Sequence, residues 1–148
     1  VLERLYAVFL LSPFGAPRIR AVKKERKHYQ FDWSLVMDEG PRFENMVACH
    51  LLKWVDHRQD TQGDDVELRY FRDTDGREVD FVVTERTRPV LLVECKSSSG
   101  DVDRSLRYLR TKFPDAEAWQ VTASGTKDFV TPDGIRVAPA IKLLEQLV

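Results

Sequence analysis

Asp80, followed by Glu94-Cys95-Lys96, sets the strongest constraint on how this chain can fold. Residues 77–83 and 90–96 are apolar runs rich in valine and leucine, and each reads as a β-strand. Side chains on a strand alternate faces with a period of two. Asp80, Glu94 and Lys96 are all even-numbered, so a hairpin turning near residue 87 places the three on one face, with Asp80 roughly opposite Glu94. Two carboxylates about 5 Å apart repel by about 3 kcal/mol at an effective dielectric near 20. Like charges facing each other also destabilise a sheet. Something must cancel that charge, and Lys96 alone is too little once a third acid, Glu44, is added. A divalent cation suffices, and hard oxygen ligands without His or Cys favour Mg2+ or Mn2+ over Zn2+.

Glu44 enters through a helix. Asp38-Glu39-Gly40-Pro41 opens it, with proline in the first turn, where its missing N–H costs nothing. The helix is expected to run to about Val55, with residues 56–65 as a polar loop. Its apolar stripe is Val47, Ala48, Leu51, Leu52, Trp54 and Val55, and helical geometry puts Glu44 near the middle of that stripe. A glutamate on the core side is unusual; the plainer alternative is a helix cap or a partner for an arginine. Likewise Glu78 and Lys96 could pair across the hairpin, and Asp80 could cap a turn.

The remaining elements follow from local pattern. Residues 6–11 read as a strand and 66–72 as another. Asp73-Thr74-Asp75-Gly76 is a turn, with glycine supplying positive φ. A second helix covers about 102–113, a fourth core strand 116–122, an extended piece 135–137 and a terminal helix 139–147. The order from residue 38 is α-β-β-β-α-β, an α/β sandwich on a mixed sheet flanked by helices. Residues 18–29 carry Arg18, Arg20, Lys23, Lys24, Arg26 and Lys27 against one acid, Glu25. They form either a basic wing that touches phosphates or a solvated, lysine-protected edge.

Composition narrows the function classes. With 43% hydrophobic and 32% charged residues over 148 positions, the chain has a core and is one domain with, at most, a fragment of a second. A net charge of −1 makes any nucleic-acid argument a local one. Cys49 and Cys95 show neither metal spacing nor a disulfide framework, which suits a reducing cytosol and a cytoplasmic location. The apolar residues 5–11 are too few to span a membrane and lack the basic flank of a signal peptide. No G-x-x-x-x-G-K-[ST] loop occurs, so this chain alone should not bind ATP. Its first residue is Val, compatible with a piece of something longer. His28, His50 and His57 have no ligand spacing.

Glu44, Asp80 and Glu94-Cys95-Lys96 in this order of elements resemble the PD-(D/E)XK nuclease superfamily of restriction endonucleases and Holliday-junction resolvases. A closer resemblance rests on Gly40-Pro41-Arg42-Phe43-Glu44-Asn45, Tyr70-Phe71-Arg72-Asp73, 75–82 (DGREVDFV) and 93–97 (VECKS). These segments look like the C-terminal nuclease-like domain of prokaryotic AAA-type ATP-binding proteins. The likeness spans residues 38–125, whereas residues 1–37 resemble the tail of that family's winged-helix segment. Val79 stands where the superfamily motif has its proline, which carries no chemistry.

The resemblance implies a restriction-endonuclease-like fold over 38–148 and a catalytic set of Glu44, Asp80, Glu94 and Lys96. Asp80 and Glu94 would bind Mg2+ (or Mn2+), with Glu44 completing the acidic shell. Lys96 would add positive charge near the phosphate, or take a proton if burial lowered its pKa. Cys95, being odd-numbered, is expected to pack into the core. Arg104, Arg107 and Arg110 either hold a DNA backbone or form the solvated face of an amphipathic helix, and Gln120 is a further polar group on the fourth strand. Implied partners are DNA and an ATPase module in the same full-length chain; no membrane is expected, and homo-oligomerisation stays open. Two function classes follow: a metal-dependent deoxyribonuclease, or a catalytically silent nuclease fold that binds DNA or regulates an attached ATPase.

Overall fold

A computed structural model describes residues 1, 5 and 7–147 of the chain. Two short strands come first, β1 (Val8–Leu11) and β2 (Lys27–Gln30), followed by a 3-10 turn over Trp33–Leu35. Then come α1 (Glu39–Gln62), β3 (Val66–Arg72), β4 (Glu78–Glu85), β5 (Arg88–Lys96), α2 (Arg104–Lys112) and β6 (Glu117–Thr122), in the expected α-β-β-β-α-β order. β7 (Phe129–Val130), β8 (Ile135–Pro139), α3 (Ala140–Leu144) and a 3-10 turn over Glu145–Leu147 follow. Tyr6, expected to begin the first strand, lies outside the described residues.

The main sheet has six strands in the order β3-β4-β5-β6-β8-β7. It is mixed: β5, β6 and β8 run parallel, while β3, β4 and β5 form an antiparallel meander and β7 is antiparallel to β8. The near-continuous apolar runs of β4 and β5 are explained by helices on both faces, which leave no solvated side to alternate with. On one face Val47, Ala48, Leu51 and Val55 of α1, with Ala140 and Leu143 of α3, pack on Phe81, Val83 and Val93. On the other, Leu106 and Leu109 of α2 pack on Val82 and Leu92. Leu51 and Leu106 are fully buried, each contributing about 2 kcal/mol by removal of apolar area from water. The result is a three-layer α/β domain.

Residues 7–37 join both cores. Phe9, Leu11 and Tyr29 pack beneath α1, and Phe14 packs on the α2 side. The segment also follows the free edge of β3: the Phe14 N–H donates to Tyr70 O at 2.6 Å, and the Val22 N–H to Arg72 O at 2.9 Å. These bonds cover an edge that would otherwise present unpaired backbone groups. They also carry β2 across the end of the sheet where Asp80 lies.

The first helix does not stop near Val55, and the expected loop from residue 56 is two further turns of helix. Polar composition alone does not end a helix, and no breaker occurs before Gly63, which closes it in the left-handed region at φ 68°. The outer turns are pinned by Arg58, which donates to Asp64 at 2.8 Å and stacks over Trp54. Smaller shifts have similar causes. Asp103 caps α2 by accepting from the Ser105 and Leu106 N–H groups, so the helix begins at Arg104 rather than 102. Pro139 ends β8 and caps α3, so the terminal helix begins at Ala140.

Candidate functional site

A two-residue turn and a bulge on β5 together set the register of the site. Arg86 and Thr87 both have positive φ, 50° and 69°, as a hairpin loop matched to strand twist requires. Pairing starts at Glu85↔Arg88 and Thr84↔Pro89, shifts by one residue at a bulge on β5 between Pro89 and Leu91, and then runs from Val83↔Leu91 to Phe81↔Val93. One further step sets Asp80 opposite Glu94, as expected. On the other side of β4 the pairing passes from Arg69↔Val82 to Phe71↔Val79, three residues on β4 against two on β3. The extra residue is a bulge at Asp80–Phe81.

That bulge breaks the parity rule at the position where it mattered. Val82 and Leu92 obey the alternation and face α2. The Asp80 carboxylate instead looks toward the β1–β2 hairpin, where its Oδ1 lies 3.7 Å from Lys27 Nζ. Its Oδ2 accepts the Cys95 N–H at 2.9 Å. In return Glu94 Oε2 accepts the Asp80 N–H at 3.2 Å, and Glu94 Oε1 accepts from Lys96 Nζ at 2.8 Å. Sequence parity thus groups Glu94 with Lys96 correctly, and joins Asp80 to them through the backbone rather than by a shared face.

Glu44 does lie on the sheet side of α1, half-buried. Its Oε1 accepts from Tyr29 Oη at 2.6 Å and from Lys27 Nζ at 3.2 Å. Lys27 Nζ also lies 2.6 Å from Glu78 Oε1. Glu78 is therefore not the partner of Lys96; Arg72 holds its other oxygen, with Nε at 2.8 Å. Lys96 turns to Asp103, whose Oδ2 accepts at 2.8 Å. Gln120 is fully buried and accepts the Asp103 N–H at 2.8 Å while donating to Asp101 O at 3.1 Å. It fixes the residue that fixes Lys96, and stands beside Glu94 in the β5–β6 register.

The electrostatics follow from this crowding. Burial, then the charges of Glu94 and Glu44, push the Asp80 carboxyl well above the usual carboxylate range. Burial also raises Glu94, partly offset by the bond from Lys96. Burial alone would lower Lys27, yet Glu44, Glu78 and Asp80 reverse the effect and keep it protonated. The same holds for Lys96 with Asp103 and Glu94. Lys96 is thus an ammonium that donates, and the condition attached to its alternative role, a pKa lowered by burial, is not met. Burial, then Glu44, holds the Tyr29 phenol far above its ordinary value. Cys95 packs with the core beneath α1, as expected, and burial pushes its thiol well up.

Two clefts reach Lys27, Tyr29, Cys95 and Lys96, and Glu44 lines both; Asp80 and Glu94 line neither. The larger, of about 370 Å³, is bounded by Lys27, Tyr29, Val36, Pro41 and Asn45. The other, of about 230 Å³, runs between the start of α1 and the end of β5, past Phe43, Cys95, Lys96 and Ser97. The expected arginine row on α2 is partly committed: Arg107 pairs with Asp133 at 2.5 Å, and Arg110 bonds the Pro114 carbonyl.

Glu44, Asp80 and Glu94 offer only carboxylate oxygens, a donor set that suits a hard divalent cation. A cation, the Lys27 ammonium, already lies between Glu44 and Asp80. As they stand, no three His, Cys, Asp or Glu side chains among the described residues are grouped so that they could hold a metal ion. The donor types suit a hard cation, whereas their present spacing, with Lys27 among them, does not group three of them around one point.

Sequence reasoning missed Lys27, Tyr29 and Asp103. Signals existed for all three. Lys27 and Tyr29 are two apart on a strand and share a face, and an aspartate just before a helical run is a capping signature. No local signal tied Lys27 to Asp80, because that pairing spans the whole first helix.

Fold and site together define an α/β domain with a half-buried carboxylate–lysine cluster at one end of a mixed sheet. The family described as "Domain of unknown function (DUF4143)" matches residues 39–143, and the chain belongs to it. Lys27 and Tyr29 precede the matched region. Neither the curated proteins nor the solved structures contain a match to this chain. No helix among the described residues is long and apolar enough to cross a membrane.

Proposed function

We propose that this chain is a divalent-metal-dependent DNA nuclease domain of the restriction-endonuclease-like type, forming the C-terminal part of an ATP-binding protein. The observation that carries the reading is the Asp80–Glu94 latch, with Lys96 bonded to Glu94 and Glu44 close by. Asp80, Glu94 and Glu44 would hold Mg2+ or Mn2+. Such an ion, when bound, polarises a phosphoryl oxygen and lowers the pKa of a coordinated water. The protein's own groups supply the rest. Lys96, kept charged and aimed by Glu94 and Asp103, offers a fixed ammonium to the negative charge that develops on a phosphate. Glu44 lines both clefts and so faces either approach of a DNA strand.

A second reading, a catalytically silent nuclease fold that binds DNA or regulates an attached ATPase, is favoured by Lys27 standing among the acids. Incubation with linear duplex, single-stranded and branched DNA plus Mn2+, alongside Lys96→Ala, separates the two. Strand cleavage by wild type that Lys96→Ala loses supports the nuclease. Retention of DNA without cleavage supports the silent module, and neither binding nor cleavage sinks the nuclease and the DNA-binding form of the second reading.

A further inference from the structure

Lys27 lies within salt-bridge distance of three acids from two different elements. Its Nζ lies 2.6 Å from Glu78, 3.2 Å from Glu44 and 3.7 Å from Asp80, and 5.5 Å from the centre of the Tyr70 ring. Its side chain is only 18% exposed. Cys95 N–H occupies Asp80 Oδ2, so the Asp80 oxygen facing Lys27 is the one left for a cation. A divalent ion held at about 2.1 Å from carboxylate oxygens and an ammonium in van der Waals contact with the same oxygens exclude each other, by space and by charge.

We propose that Lys27 is the resident counter-ion of this site: it holds the cation position between Glu44 and Asp80, and gives way to an incoming divalent ion by withdrawing onto Glu78. Glu78 makes this feasible, because its close contact gives the displaced ammonium a partner and avoids a buried unpaired charge. The hairpin that brings Lys27 therefore does two things. It neutralises the acids so that the domain folds without metal, and it weakens metal binding by the cost of moving the lysine. The inference rests on the metal-dependent reading above.

The test is Mn2+ titration of the whole chain by calorimetry, with bound Mn2+ checked by electron paramagnetic resonance, on wild type, Lys27→Met, Lys27→Gln and Asp80→Asn. Both Lys27 variants should bind with a dissociation constant lower by about tenfold or more, since a cation is removed from about 4 Å away. Asp80→Asn should lose the site. Thermal melts in EDTA add a metal-free readout: Lys27→Met should melt lower than wild type, and Mn2+ should raise it by more degrees than it raises wild type. A lysine that only braces the fold would not tighten metal binding when removed. Equal or weaker affinity in both Lys27 variants, with wild type still binding, overturns the inference and leaves the metal reading intact. Binding that survives Asp80→Asn overturns it by placing the ion elsewhere. If no variant and no wild type binds Mn2+, both the inference and the metal-dependent reading fall. Should Lys27→Met not fold, Lys27→Gln, which keeps a donor for Glu44, carries the comparison.

Discussion

Asp80 and Glu94 are latched through their backbones: Glu94 Oε2 accepts the Asp80 N–H, and Asp80 Oδ2 accepts the Cys95 N–H. Each carboxylate fixes the strand segment of the other, so the pair is built into the β4–β5 ladder rather than laid on top of it. The reciprocal bonds also restrain both side chains at the bulge, where a strand would otherwise be loosely paired.

Asp80→Asn tests this latch and the metal site together. The amide oxygen can still accept the Cys95 N–H, and a buried negative charge is removed. The variant should fold, melting within about 4 °C of wild type or higher in EDTA. Its Mn2+ binding by calorimetry should vanish. A large loss of melting temperature with unchanged Mn2+ affinity would make Asp80 a structural residue alone.

Tyr29→Phe removes the phenol that donates to Glu44. A hydrogen bond to a charged acceptor contributes about 1.5–3 kcal/mol; Glu44 keeps Lys27 and some water, so the lower end applies. Urea unfolding at pH 7.5 should show a loss of about 1.5 kcal/mol with an unchanged slope. No measurable change would mean that the hairpin is held by its apolar contacts and not by this bond.

Asp73 gives a pH signature well away from the site. Burial would raise its carboxyl, but the Arg77 side chain and the N–H groups of Arg77 and Asp75 outweigh that and hold it below its ordinary 3.8. A depressed carboxylate contributes stability that is present above its unfolded pKa and is lost as pH falls through the folded one. Asp73→Asn keeps the Oδ1 acceptor and loses the pairing with Arg77. It should cost about 1 kcal/mol at pH 7, and that difference should shrink toward zero as pH falls below the ordinary 3.8 and through the lowered folded-state value. A penalty constant from pH 7 to pH 2.5 would contradict the assignment.

Gly63→Ala tests the length of α1. A methyl group at Gly63 meets nothing within 4 Å, so only the positive φ of 68° opposes it. The expected cost is about 1 kcal/mol by thermal or urea unfolding. Gly100, equally open but without positive φ, should accept alanine with no such loss. Equal effects at the two positions would imply that the helix does not end in a left-handed cap there.

Much of the fold was legible because its signals are local. The β4 and β5 runs, the turn at Asp73–Gly76, the turn at 86–87 and the apolar stripe of α1 each span a few residues, and each formed as read. Misreadings arose where a local cue had two meanings. Polar residues after Val55 looked like a loop, yet nothing in them breaks a helix before Gly63. Glu78 looked like a partner for Lys96, but Lys27 and Arg72 reach it first from elements that sequence spacing does not connect.

The sequence by itself determined where the candidate residues lie: Asp80, Glu94 and Lys96 on adjacent strands and Glu44 on the sheet side of the helix before them. Period-two and period-3.6 patterns, which depend only on covalent geometry, settle that much. Tertiary structure alone decided how the charges are balanced. One extra residue in β4 turned Asp80 out of its expected face. A hairpin running along the edge of β3 then delivered Lys27 to it, a contact between residues more than fifty positions apart. Such a contact is fixed by the packing of whole elements, which no local pattern records.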